Sequence, residues 1–187
     1  GLPLGGGKAV ILADRNRTKT PEMLAAFGRM IESLGGQYVT AEDVGITAAD
    51  MVALTKETKY VSGLPFEEVA PQITALGVPA DIAPDFWDVA RENITFRSDL
   101  AAWWDLCRDG AEPLIEDEDA EFVATAKSLL PSQPWDGNTW SEWTAAVKQA
   151  TGRKGKGLFM PLRKALTGQS HGPDMSKLMP LLQTVKL

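Results

Sequence analysis

The character of the chain changes at Ser62-Gly63-Leu64-Pro65, and that change limits what the 187 residues can fold into. Before it, short β-branched runs alternate with helical periodicity; after it, the pattern is helical throughout. Residues 8–13 (KAVILA) are short, apolar and β-branched, which predicts a buried strand after the flexible Gly5-Gly6-Gly7. Residues 14–19 read as a polar turn. Thr20 and Pro21 then open a helix over residues 21–34, with Leu24, Phe27, Met30, Ile31 and Leu34 at helical spacing and Gly35-Gly36 at its end. Residues 37–40 read as a second strand and residues 47–59 as a second helix. Strand, helix, strand in so short a space predicts a βαβ unit with a further helix. After the change, helices are expected over residues 65–76, 84–92, 98–109, from about 120 to 129, 139–150, 158–166 and 175–184. The predicted fold class is α+β, with a βαβ(α) domain at 1–63 and an all-helical domain at 64–187.

Charge divides the chain in the same manner. Residues 1–63 carry net 0, residues 64–150 net −12 and residues 151–187 net +6. The basic excess is concentrated in residues 151–173, TGRKGKGLFMPLRKALTGQSHGP, where Arg153, Lys154, Lys156, Arg163 and Lys164 have no acidic residue among them. A basic island on an acidic protein points to a polyanion, and nucleic acid is the simplest one. Within it, Gly152, Gly155 and Gly157 predict a loop, and Leu158, Phe159, Leu162 and Leu166 are expected to face inward on the following helix.

Other clusters have plainer explanations. Glu116, Asp117, Glu118 and Asp119 suit the favourable field at a helix N-terminus better than a metal site, since their spacing is not that of a calcium loop. The six tryptophans lie at amphipathic spacing among apolar neighbours, which predicts core packing over base stacking. Cys107 is the only cysteine, so neither a disulfide framework nor a cysteine-based zinc site is expected. No apolar run reaches a membrane-spanning length and no signal-peptide pattern opens the sequence, so a cytoplasmic protein without a membrane partner is expected.

Two resemblances sharpen these expectations. GLPLGGGKAVI and KTPEMLAAFGRMIESLGGQYVTAEDVG resemble the leucine, phenylalanine and valine branch of the amino-acid dehydrogenases, over about residues 1–63. The resemblance implies that Lys8 is the catalytic lysine and Asp43 its acidic partner. A lysine activating water and a carboxylate shuttling a proton suit attack on an imine. No GxGxxG follows a strand anywhere in the sequence, and Ile46 stands where the family usually has threonine. Lys8 and Asp43 are therefore expected to be catalytically idle, with no cofactor.

From about residue 64 onward the chain resembles the C-terminal, anticodon-binding region of bacterial glutamyl-tRNA synthetase, through LPFEEVAP, the FW…REN…DL..WW block and LF.PLR.ALTG…GP. The resemblance implies a helical cage that reads a tRNA anticodon. Arg153, Lys154 and Lys156 would be loop contacts to phosphate or base, and Arg163, Thr167 and Gln169 would flank the pocket. Lys164 is a further candidate contact, but it adjoins Arg163, so at most one of the two lies mid-face towards a ligand. Such readers splay out unpaired bases and combine phosphate with base-edge contacts. Asp174-Met175-Ser176-Lys177 is similar in letters to the lysine loop of class I synthetases but falls in the last helix, so no ATP site is expected.

Two unrelated families meeting at one junction suggest a chimera. The expected function is tRNA anticodon-arm binding without aminoacylation, beside a non-catalytic dehydrogenase fragment. The alternatives are an engineered or recombined chimera with a structural role only, or residual amino-acid or keto-acid binding at Lys8 and Asp43. A two-stranded βαβ unit leaves its edges open, so a homodimer through the N-terminal sheet fragment is also expected.

Overall fold

The computed structural model of the chain describes residues 5–12 and 19–187. Two compact units are present: Leu2–Gly77 with Ile94–Leu100, and Val78–Asn93 with Ala101–Leu187. The turn expected at residues 14–19 lies outside the described residues except for Lys19, as does Ala13 of the expected first strand.

The first unit is built on α1 (Pro21–Ser33), α2 (Ala48–Leu54) and α3 (Phe66–Ala75). Thr20 caps α1, its Oγ1 accepting from the Met23 N–H at 3.2 Å, with Pro21 at the first helical position. Thr47 and Asp50 form a reciprocal capping box on α2. Leu24 and Ile31 on α1 and Met51 and Leu54 on α2 are buried, each contributing about 1.5–3 kcal/mol of transfer free energy. α3 follows the change at 62–65 but belongs to this unit, where Val69 and Ile73 are buried and Gln72 Nε2 donates to the Arg97 carbonyl at 3.0 Å. Tyr60 and Phe96 meet edge to face at 6.0 Å.

The βαβ expectation fails here. Among the described residues there is no β-strand, only one isolated parallel bridge between Thr40 and Val61. Thr40 N–H donates to the Tyr60 carbonyl at 2.9 Å, and Ser62 N–H donates to the Thr40 carbonyl at 2.8 Å. Among the described residues, the run expected to be the first strand joins no ladder: Val10 is 73% exposed and Leu12 84%. A strand exists only through its ladder partner, and β-branched composition does not supply one. The sheet fragment through which a second copy was expected to pair is therefore not formed.

The second unit is helical: α4 (Ala83–Ala90), α5 (Leu100–Asp109), α6 (Ala120–Ser128), α7 (Thr139–Thr151), α8 (Lys156–Thr167) and the short α9 (Met175–Leu178). Four of the six tryptophans are core, as their spacing predicts: Trp87, Trp104, Trp135 and Trp143 are all buried. Phe86 and Trp104 join α4 to α5 edge to face at 5.6 Å. Trp143 fixes α7 on α6 by donating its indole N–H to the Ala126 carbonyl at 2.9 Å. The last helix is shorter than predicted and passes into a 3-10 turn at Met179–Leu181, because Pro180 brings no N–H to extend the helix. The segment after it fastens α5, Gln183 N–H donating to the Cys107 carbonyl at 2.7 Å.

Candidate nucleic-acid interface

The basic island folds as the end of α7, a loop bounded by Gly152 and Gly155, and α8. Leu158, Pro161, Leu162, Ala165 and Leu166 form the buried face of α8. Phe159 does not join them. It lies about 100° round the helix from Leu158 and is 45% exposed, against the expectation that it faces inward. The apolar residues at 158, 162 and 166 were enough to fill the stripe.

The five cations separate into three kinds. Arg153 turns back to the acidic segment. Its Nη1 pairs with the Asp119 carboxylate, and its guanidinium lies 4.2 Å from the centre of the Phe122 ring. The same Nη1 lies 3.4 Å from the Gly157 carbonyl. Pro161 has no N–H to offer that carbonyl, so the arginine approaches an acceptor the helix leaves open. Lys164 pairs with Glu116 at 3.0 Å. The carboxylates at 116–119 thus run through a 3-10 turn (Asp117–Asp119) into α6 and neutralise two members of the island.

Lys154 and Lys156 are exposed and have no ion-pair partner among the described residues. They are the cations that the loop and the first turn of α8 present to solvent.

Arg163 is half-buried in the second turn of α8. Its Nη2 donates to the Pro173 carbonyl at 2.8 Å, and its Nη1 is buried without a hydrogen-bond partner. Burial pulls the guanidinium below its ordinary pKa, against the opposing pull of the Asp174 carboxylate. The tip is closely walled: a Cβ on Gly172 would come 3.4 Å from Arg163 Nη1 and 3.3 Å from Trp103 Cη2. Thr167 is buried, and its hydroxyl donates to the Arg163 carbonyl at 2.8 Å while accepting the Gln169 N–H at 3.2 Å. Thr167 therefore shapes the turn, and Gln169 lies half-buried just beyond it. Asp174 caps α9, accepting the Ser176 N–H at 2.8 Å, which holds its carboxyl below the usual range.

In the first unit, Lys8 Nζ pairs with Asp43 Oδ2. The pairing, together with the Val44 N–H at 2.7 Å, lowers the Asp43 pKa. The two residues expected to be partners do meet, but 68% of the Lys8 side chain and 49% of the Asp43 side chain are open to solvent. A similar pair joins Lys19 to Asp50, which also accepts the Thr47 N–H at 2.7 Å. Among the described residues no cluster of His, Cys, Asp and Glu could hold a metal ion, and no helix is long and apolar enough to cross a membrane.

The basic loop was legible from charge alone. Its engagement with 116–119 was not, because the partners stand 34 and 48 positions apart. The exposure of Phe159 beside Trp140 was also missed. The only available signal was that α8 has more apolar residues than one stripe needs.

Comparison with known proteins gives two family matches. Residues 1–60 match the Glu/Leu/Phe/Val dehydrogenase, dimerisation domain. Residues 81–184 match the anticodon binding domain. Among curated proteins, the chain is 64% identical over 139 residues to a glutamate-tRNA ligase 1 of Roseobacter denitrificans, covering 74% of this chain and 31% of that protein. It is 54% identical over 158 residues to a glutamate-tRNA ligase 1 of Ruegeria pomeroyi, covering 84% and 36%. It is 48% identical over 176 residues to a glutamate-tRNA ligase 1 of Paracoccus denitrificans, covering 94% and 40%. The chain thus spans about a third of the length of the curated relatives it matches. These matches are longer than the 124 residues from 64 to 187, so they extend into the part that precedes the change of character. No solved structure matches.

Proposed function

This chain belongs to the anticodon binding domain family, and from that premise we propose that its helical part binds the anticodon arm of a tRNA. The relatives named as glutamate-tRNA ligases support a glutamate-specific tRNA as the ligand. The observation that carries the proposal is a pairing of two kinds of cation. Lys154 stands free on the loop and Lys156 at the start of α8, and Arg163, seven residues further along α8, is half-buried with Nη1 unpartnered. The lysines suit a phosphate backbone and the arginine suits an acceptor on an unpaired base. Arg153 and Lys164 contribute by fixing the loop and α8, and Thr167 and Gln169 by shaping the turn beside Arg163. Filter binding of tRNA at 50 and 200 mM salt tests this. Salt-sensitive retention is expected, and no retention at low salt rejects it.

In this proposal the part before the junction at 63/64 carries a dehydrogenase-derived fragment, matched over residues 1–60, fused to the binding part, and the ligase matches overlap its end. The Lys8–Asp43 pair supports a non-catalytic role, since both of its side chains stand largely open to water. Heat on calorimetric titration with branched-chain amino acids would overturn that assignment. The exposed apolar run at 10–12 favours a homodimer through this segment, which sedimentation would detect.

A further inference from the structure

The aromatic pair on the α7–α8 surface has no role in the contacts described so far. Trp143 is 1% exposed and anchored to the Ala126 carbonyl. Trp140 meets it edge to face at 5.8 Å, and Phe159 lies against Trp140 with ring centres 6.2 Å apart at 39°. The three rings form a path from core to surface that ends in a ring 45% open to water. An isolated surface phenylalanine needs no explanation, but this one has a fixed aromatic backing and charged neighbours. Lys156, Phe159 and Arg163 fall at i, i+3 and i+7 of α8, one face covering about 10 Å of helix. An exposed cation, an exposed aromatic and a half-buried guanidinium with an unpartnered nitrogen therefore follow one another along one line.

We propose that Phe159, backed by Trp140, is a stacking subsite for one unpaired nucleobase of the RNA that the Lys154–Lys156 loop attracts. The inference rests on the RNA-binding reading and adds to it a residue outside the basic set. A π-face stacks on any base, so the subsite contributes affinity for unpaired over paired RNA and little sequence preference. Duplex RNA, whose bases are already stacked, gains nothing from it.

The test is fluorescence anisotropy with a labelled stem-loop, the same stem-loop with abasic loop nucleotides, and a blunt duplex of equal charge. The proteins are wild type, Phe159→Leu and Phe159→Tyr. Phe159→Leu is expected to weaken stem-loop binding about tenfold, with Phe159→Tyr within about twofold of wild type and duplex binding unchanged in all three. The abasic loop should weaken wild type more than Phe159→Leu, a coupling measured without relying on the variant's stability alone. Stem-loop affinity equal in wild type and Phe159→Leu, while Lys154→Ala still weakens it, overturns the stacking subsite and leaves the RNA reading standing. Equal abasic penalties in wild type and Phe159→Leu also overturn it. If wild type binds neither RNA at low salt, the RNA reading falls and the subsite with it.

Discussion

Arg153 closes on Asp119 across 34 positions of sequence, with the Phe122 ring against the face of its guanidinium. The charge pattern alone assigns this arginine to a polyanion. Its geometry makes it a clamp between the start of α6 and the loop before α8. Arg153→Ala is expected to destabilise the second unit by about 1–3 kcal/mol through the lost pair and ring contact. Arg153→Lys should recover only part, since an ammonium lacks the planar face. Urea unfolding of the two variants against wild type measures both effects.

Lys154 and Lys156 should account for the salt dependence of RNA binding. Each single alanine variant is expected to reduce the slope of log affinity against log salt by about 0.7–0.9. Lys164→Ala should leave the slope near the wild-type value, because its ammonium is already neutralised by Glu116. Binding titrations at four salt concentrations separate these cases.

Gly168 ends α8 in the left-handed region at φ 67°, and a Cβ there would come 2.8 Å from the Glu112 carbonyl oxygen. Gly168→Ala therefore combines backbone strain with a collision against main chain. A loss of about 2 kcal/mol or more is expected. Thermal melting tests it, with the exposed Gly137→Ala as a control where nothing lies within 4 Å.

Burial pushes the Cys107 thiol up to about 12, whereas an unfolded thiol ionises near about 8.5. The folded value lies above the unfolded one. Its contribution to stability is therefore complete below about pH 8.5 and declines as pH rises towards 12. The urea midpoint of wild type should fall more between pH 8 and pH 10 than that of Cys107→Ala. An equal fall in both proteins would remove the thiol as its cause.

What the sequence made legible follows from how local each signal is. The Thr20 cap on α1 and the periodic helices of the second unit need only neighbours within a few positions, and both formed. The strand expected at 8–13 needed a partner that periodicity cannot supply, and the bridge that did form joins Thr40 to Val61 instead. The site divides in the same way. Lys154 and Lys156 are exposed, as their glycine-rich surroundings suggest. The neutralisation of Arg153 and Lys164, and the outward turn of Phe159, depend on which surfaces the helices bury against one another.

The position of Arg163 has a further consequence. With Nη2 on the Pro173 carbonyl and Nη1 walled in near Gly172 and Trp103, the side chain has already lost most of its rotamer freedom and its water. An oxygen acceptor that opened this wall to reach Nη1 would meet a donor whose ordering and desolvation were completed when the protein folded. The folding free energy of the second unit thereby underwrites part of the affinity for any ligand that reaches this nitrogen.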